Sequence, residues 1–191
     1  MFVLMKKKMF LITIITLIGL LASAALYRFT ENPVLFSIAI TFGTAFYHLT
    51  MRLAVGYTVN AIFHNKMDYT KKWFREKRFE RGLYKKLRVR KWRKWIPTFD
   101  PEIFSLNNHS VEEIVQVTCQ AEIVHEIIMA FSFVPVVFSI WFGSLGVFLV
   151  TSCASFLFDS IFVIMQRYNR PRMMRILRKK NDKTRSEPTG S

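Results

Sequence analysis

Four long apolar runs separated by basic segments constrain this chain more than any other feature of its sequence. The runs lie at about residues 9–26, 34–63, 123–142 and 147–165. Each is long enough to cross a bilayer, because an α-helix rises about 1.5 Å per residue and the hydrocarbon core is about 30 Å thick. The sequence therefore predicts an all-α integral membrane protein with four transmembrane helices.

The basic residues predict how these helices are oriented. Lys and Arg number 28 against 13 Asp and Glu, which gives a net charge of +15. All but two of the 28 lie in three blocks, at residues 6–8, 64–100 and 167–185. Four spans place these blocks on one side, and membrane proteins retain Lys and Arg on the cytoplasmic side. We therefore expect a multi-pass protein of the cell membrane with both termini in the cytoplasm.

The first run has a second interpretation, as a signal peptide. Lys6, Lys7 and Lys8 precede it, and Ala22-Ser23-Ala24 offers the small residues that are typical of a cleavage site. The run is longer than the usual apolar core of a signal peptide, and further spans follow it. These observations favour an uncleaved first transmembrane helix.

The segment 64–100, between the second and third runs, is both basic and partly apolar. It holds fourteen Lys and Arg residues against four acidic ones, and Phe79, Leu83 and Leu87 recur on one helical stripe. Basic and aromatic residues together can bind nucleic acid. Between two membrane spans they are more typical of a helix that lies in the headgroup layer on anionic lipid. We expect an interfacial helical segment with membrane lipid as its partner and no nucleic acid.

The third run begins as a polar helix. Ser110 and Glu113 have the spacing of a capping box, in which each side chain satisfies a free backbone N–H of the other residue. The predicted helix 110–126 continues into the third span. The polar stretch 179–191 contains Pro and Gly and is typical of a disordered tail. The expected organisation is a single membrane domain, 1–178, followed by this tail.

Glu122 and His125, at the start of the third span, are the first candidates for a catalytic site. They lie three residues apart and therefore share a face of the helix. A carboxylate can orient an imidazole and raise its basicity, which would make His125 a general base able to deprotonate a hydroxyl group. The alternative is a helix-surface pair that only solvates the end of the span.

Two other histidines are candidate contributors to that site. His109 lies four residues before Glu113, although an ordinary loop histidine would look the same. His48 lies four residues before Arg52 in the second run. Either this pair faces a polar cavity shared with other helices, or the span ends nearby and Arg52 extends into the headgroups.

The sequence QRYNRPR at residues 166–172 is a candidate binding site for an anion. Forked guanidinium groups suit a phosphate or pyrophosphate, such as that of an acyl carrier or a lipid headgroup. The candidate residues are Arg167, Tyr168, Asn169, Arg170 and Arg172. The alternative is a basic and aromatic membrane anchor, but an anchor does not require so particular a sequence.

The sequence contains no pattern that predicts a metal ion or an organic cofactor. A four-helix carboxylate site needs two Glu-x-x-His motifs and two further Glu residues, and the sequence has one such motif. It also has neither a serine nucleophile elbow nor a Gly-rich phosphate loop. We therefore expect a site without metal or cofactor.

Short segments give the chain a resemblance to one protein family. They are Arg90-Lys91-Trp92, Ala121-Glu122-Ile123-Val124-His125, Pro135 and, most specific of all, Gln166 to Arg172. Over roughly residues 45–178 the chain resembles the glycosyl-4,4'-diaponeurosporenoate acyltransferase family of small bacterial membrane proteins. The resemblance implies that a fatty acyl group is esterified onto a sugar hydroxyl of a glycosylated carotenoid. It does not extend to His48, His109 or Asp159.

The leading hypothesis is a bacterial membrane acyltransferase that acts at the cytoplasmic leaflet. His125, oriented by Glu122, would deprotonate the acceptor hydroxyl, while Arg170 and Arg172 would hold an anionic acyl donor or a lipid headgroup. The expected partners are the acyl donor and a glycolipid or glycosylated carotenoid acceptor. The alternative is a non-enzymatic membrane adaptor or lipid-binding scaffold that uses the basic segment.

Overall fold

A computed structural model describes residues 2–96 and 107–186, and within these ranges the secondary structure is helical, with no strand. The α-helices are α1 (Phe2–Thr30), α2 (Pro33–Phe63), α3 (Glu80–Lys86), α4 (Val89–Trp92), α5 (Val111–Phe131), α6 (Val134–Val137), α7 (Ser139–Phe142) and α8 (Leu145–Ser186). Single 3-10 turns occupy Lys72–Phe74 and Arg93–Trp95.

Four stretches are long and apolar enough to span a membrane. They are Lys7–Thr30, Pro33–Phe63, Val111–Phe142 and Leu145–Asp182. Large apolar side chains are exposed along all four, as expected of surfaces that face lipid. The all-α fold with four membrane-spanning stretches is therefore confirmed.

The third span consists of more than one helix. α5 ends at Phe131, and Pro135 lies in the first turn of the short helix α6. The interruption follows from the proline ring, which has no N–H to donate to the preceding turn. Gly143 and Ser144 then adopt positive φ values of 65° and 52° and form the turn into α8.

Helix α8 extends beyond the length that a bilayer requires. It contains 42 residues, whereas about 20 suffice to cross the hydrocarbon core. It continues to Ser186, so residues 179–186, which the sequence assigns to a disordered tail, are helical. Lys and Arg favour helix, and the next proline is Pro188. The rest of the predicted tail, 187–191, lies outside the described residues.

The basic segment is helical in short pieces and does not form the one continuous helix that its apolar stripe predicts. Arg88 has a left-handed backbone, with φ of 51°, between α3 and α4. The Trp92 indole N–H donates to the Leu87 carbonyl oxygen at 2.9 Å, which stabilises this break. Residues 97–100 of the segment lie outside the described residues.

The chain divides into two compact units. Unit 1 comprises Met1–Thr58 and Val124–Ser160, and unit 2 comprises Val59–Ile123 and Ile161–Ser191. In unit 1, α1 approaches α2 closely, because a Cβ atom added to Gly19 would lie 2.7 Å from the Phe42 ring.

In unit 2, a small core forms from Met67, Phe74 and Cys119. The amide of Gln120 bonds to the side chain of Asn65 at 2.8 Å and links α5 to the start of the basic segment. The predicted capping box is present as well. The Ser110 backbone N–H donates to Glu113 Oε2 at 2.8 Å, and the Glu113 N–H donates to Ser110 Oγ at 3.2 Å.

Candidate functional site

His125 and Asp159 form a hydrogen-bonded pair in unit 1. His125 lies in the last turns of α5 and Asp159 in the first half of α8. The distance from His125 Nδ1 to Asp159 Oδ1 is 2.8 Å. The Asp159 side chain is fully buried, whereas that of His125 is 22% exposed. An aspartate within an apolar span is costly unless it is paired, so this pair is a candidate functional feature.

Arg52 of α2 is the second partner of Asp159. Its Nη2 group donates to Asp159 Oδ2 at 2.6 Å and to Ser155 Oγ at 2.8 Å. The Ser155 hydroxyl lies 3.0 Å from that of Ser132. The guanidinium balances the charge of Asp159, and each carboxylate oxygen is directed at a different partner. Three helices thus contribute to one ordered chain, Arg52–Asp159–His125.

This chain has the chemistry of an oriented general base. A carboxylate that accepts the Nδ1–H of a histidine selects the tautomer with its lone pair on Nε2. An imidazole in that state can take a proton from a hydroxyl group, and the carboxylate stabilises the imidazolium that forms. His125 therefore has the support that proton abstraction requires.

His48, one helical turn before Arg52, adds polar groups to the interior of unit 1. It is 5% exposed, and neither ring nitrogen has a hydrogen-bond partner in the described part of the chain. The same is true of Arg52 Nε and of the buried Ser152 hydroxyl. Buried polar groups are nearly always hydrogen-bonded in proteins. The described residues therefore leave these atoms without the partners that buried polar groups normally have.

Glu122 has partners other than the one expected. In unit 2 its oxygens accept from Arg167 Nη1 at 2.5 Å and from Arg170 Nη2. The carboxylate on Nδ1 of His125 belongs to Asp159 and not, as the sequence predicts, to Glu122. A guanidinium binds a carboxylate more strongly than a neutral imidazole does. Spacing within one helix does not reveal such partners from elsewhere in the chain.

Arg167 and Arg170 extend the Glu122 ion pairs into a network. Arg167 donates to Glu80 Oε1 through Nε at 2.9 Å and through Nη2 at 2.6 Å. Arg170, at 3% exposure, donates to the carbonyl oxygens of Phe74 at 3.3 Å and Thr118 at 3.2 Å. The network holds α5, α8 and the basic segment together within unit 2.

The other candidate residues of the QRYNRPR sequence differ in their contacts and in their exposure. The Tyr168 ring packs edge-on against Tyr84, with centroids 5.4 Å apart. Asn169 Oδ1 accepts a hydrogen bond from Arg93 Nη1 at 2.5 Å. Arg172 is exposed on α8. Four of the five candidate residues of this block therefore contact other parts of the chain.

Tyr84 completes the network on the side of Glu80. Its hydroxyl donates to Glu80 Oε2 at 2.9 Å. Burial raises the pKa of Tyr84 above its ordinary value of 10.0, and the hydrogen bond to Glu80 raises it further. The phenol therefore stays protonated at neutral pH and keeps donating. Glu80 is held between this phenol and Arg167.

His109 lies in an exposed position before α5. Its Nδ1 atom is 3.5 Å from Glu113 Oε2, and the two side chains are 38% and 57% exposed. Exposed ion pairs of this kind contribute little to stability. The contacts of His109 therefore give no reason to assign it a chemical role.

Unit 2 also contains a cavity of about 300 Å³, a size at the lower end of small-molecule sites. Its charged walls are Arg75, Glu76, Arg81, Arg170, Arg175 and Arg178. Its apolar walls are Tyr69, Phe74, Pro171 and Met174. We call it the arginine cavity. Among the described residues, no group of three or more His, Cys, Asp or Glu side chains could hold a metal ion.

The sequence interpretation missed the pairing of Arg52 with Asp159. A signal for it was present, because one apolar run contains a lone aspartate and another an arginine. Each charge is costly in lipid and each is neutralised by the other. Pairing the opposite charges of different spans would therefore have predicted that Arg52 contacts Asp159.

Comparison with known proteins gives one match. Residues 70–179 match the family model described as Glycosyl-4,4'-diaponeurosporenoate acyltransferase. The match covers more than half of the 191 residues and includes Glu122, His125, Asp159 and the QRYNRPR sequence. No curated protein and no solved structure matches the chain.

Proposed function

Because the chain belongs to the glycosyl-4,4'-diaponeurosporenoate acyltransferase family, we propose that it esterifies a fatty acyl group onto a hydroxyl of a glycosylated lipid or carotenoid at the cytoplasmic leaflet. The family match and the four membrane spans identify a membrane acyltransferase in general terms. The acceptor and the leaflet belong to the proposal. The observation that carries it is the ordered chain Arg52–Asp159–His125.

In the proposed reaction, Nε2 of His125 takes the proton of the acceptor hydroxyl while the hydroxyl oxygen attacks the acyl carbonyl carbon. The new ester bond forms, and the bond between the carbonyl carbon and the leaving group of the donor breaks. The imidazolium then returns its proton to that leaving group. Asp159 stabilises the imidazolium, and Arg52 balances the charge of Asp159.

The remaining candidate residues take supporting roles in this proposal. His48, whose ring nitrogens have no partner among the described residues, is a candidate contributor to acceptor binding. Glu122 is a positioning residue that holds Arg167 and Arg170. The anionic donor binds beside the QRYNRPR sequence, a role supported by the position of Arg170 in the wall of the arginine cavity.

The test replaces His125 with Gln in cells that make glycosyl-4,4'-diaponeurosporenoate. Gln cannot accept the proton, so the rate of ester formation should fall by about 10² to 10⁴. Asp159→Asn should cause a loss of up to about 10⁴, because an amide favours the wrong imidazole tautomer. The ester is quantified by mass spectrometry at matched protein levels.

The matched control is His64→Asn. His64 is exposed and has a φ of 48°, which Asn tolerates, and it belongs to neither network described above. Melting temperatures of all variants in nanodiscs separate loss of the base from loss of the fold. Full ester production by a well-folded His125→Gln protein would end the general-base proposal and favour the membrane adaptor.

A further inference from the structure

The arginine cavity has more positive charge than the carboxylates of the described residues neutralise. Arg170 is paired with Glu122, and Arg81 is paired with Glu76 at 2.9 Å. Glu76 is the one carboxylate that the described residues contribute to the cavity wall.

Three further arginines of the wall have no such partner among the residues that the structure describes. No described carboxylate lies within ion-pair distance of Arg75, Arg175 or Arg178 in the structure's described ranges. Arg175 and Arg178 lie three residues apart on one face of α8, with Met174 and Pro171 beside them. Arg75, Arg175 and Arg178 are exposed and concentrate positive charge around one cavity. The arrangement therefore favours binding of negative charge.

We propose that the arginine cavity binds a phosphorylated ligand with at least two negative charges, either a phosphomonoester or a diphosphate. Each guanidinium group can donate two parallel hydrogen bonds to the oxygens of a phosphate. A ligand with a single carboxylate has too few oxygens to need three arginines. Tyr69, Phe74 and Met174 provide an apolar wall for an organic group attached to the phosphate. The identification of this ligand as the acyl donor rests on the proposed function, but the binding of phosphate does not.

The test measures binding of inorganic pyrophosphate by isothermal titration calorimetry. The full chain is held in nanodiscs of phosphatidylcholine, a lipid without net charge, and the ionic strength is constant. Arg175→Gln/Arg178→Gln removes two charges from the cavity wall. Each lost charged hydrogen bond should weaken binding at least about tenfold, and the pair about 100-fold.

The matched control is Lys85→Gln/Lys86→Gln. These exposed lysines belong to α3 in the same unit and do not line the cavity, so the control removes the same charge from unit 2. We expect its Kd for pyrophosphate to stay within about threefold of the unmodified protein, because exposed charges at a distance are screened. An equal loss in both double variants would overturn the proposal, since the binding would then be non-specific attraction.

Two further arms distinguish the sources of the phosphate. In one arm, coenzyme A binds the unmodified protein more tightly than pyrophosphate does and binds the Arg175→Gln/Arg178→Gln protein weakly. This result would identify a soluble carrier as the source. Pyrophosphate binding that disappears when phosphatidylglycerol replaces part of the phosphatidylcholine would identify a lipid headgroup. Either result supports an anion site. A Kd unchanged by the cavity substitutions, or no binding of any probe, would overturn it.

The His125→Gln protein separates this proposal from the proposed function. It should bind pyrophosphate with an unchanged Kd, because His125 is not in the cavity wall. Unchanged binding in a protein whose ester production is also unchanged would refute the general base and leave the anion site standing. If the His125→Gln protein makes no ester and the unmodified chain binds no phosphate, the anion site is refuted and the general base is supported.

Discussion

Replacing Glu122 with Gln tests whether this residue stabilises unit 2 or takes part in catalysis. The change removes a charge and keeps the size of the side chain. Its effects on the two arginine partners differ. Arg167 retains Glu80 through two hydrogen bonds, so its charge stays paired. Among the described residues, Arg170 retains only the oxygens of Thr118 and Phe74, and it is almost fully buried.

The magnitude follows from this difference. Removing one partner of a buried ion pair costs about 3–5 kcal/mol, because the other charge is left uncompensated. Since Arg167 stays paired with Glu80, we expect this cost once, for Arg170, and not twice. For a chain of this size each kcal/mol lowers the Tm by about 2–4 °C, so Glu122→Gln should lower it by about 6–20 °C.

The assay is thermal unfolding in nanodiscs, followed by circular dichroism. The matched control is Glu113→Gln, the same substitution in the same helix, because Gln also serves in a capping box. Its free energy of unfolding should change by no more than about 0.5 kcal/mol. The double variant Glu122→Gln/Arg170→Gln removes both buried charges. Its loss in the free energy of unfolding should be smaller than the sum of the losses in the two single variants, by about 0.5–3 kcal/mol.

One result would refute this reasoning. A Glu122→Gln protein with an unchanged Tm and no ester production would show that the ion pairs contribute nothing to stability. Glu122 would then be better explained as a member of the catalytic site, which is the role that the sequence predicts for it.

Two further predictions concern the membrane spans. In a cysteine-free background, a membrane-impermeant thiol reagent added outside should label Ser144→Cys and should not label Lys86→Cys or Arg178→Cys, because membrane proteins generally retain Lys- and Arg-rich segments on the cytoplasmic side. Labelling at position 86 would contradict this topology. Gly19→Ala should lower the free energy of unfolding by about 1–3 kcal/mol, because its Cβ would lie 2.7 Å from the Phe42 ring, whereas Gly56→Ala in open space should be neutral or stabilising by up to about 1 kcal/mol. Equal shifts in the Tm of the two alanine variants would show that α1 does not pack on α2 as described.

The spans and the capping box could be predicted from sequence because both depend on local properties. A predominantly apolar run of sufficient length satisfies its backbone as a helix in lipid, whatever its neighbours are. The capping box needs only Ser110 and Glu113 at the right spacing. Neither inference requires knowledge of which residues from distant parts of the chain are in contact.

The partners of the candidate residues could not be predicted in the same way. Glu122 and His125 share a helix face by spacing, and that spacing suggested a pair. Their bonding partners in the structure come from α8, 34 to 48 residues further along the chain. The break at Arg88 was missed for a related reason, because the apolar stripe continues across it and the left-handed backbone is visible only in three dimensions.

The most specific sequence in the chain is therefore best explained by internal contacts. Arg167, Tyr168, Asn169 and Arg170 each meet a particular partner in unit 2, and such contacts require particular side chains. An anion site does not require a particular sequence, because any arginine whose side chain reaches the cavity can supply positive charge. Arg75, Arg175 and Arg178 meet that requirement from positions that no motif marks. The QRYNRPR sequence thus holds α8 against the basic segment. That arrangement brings together around one cavity three arginines that are not paired with any described carboxylate.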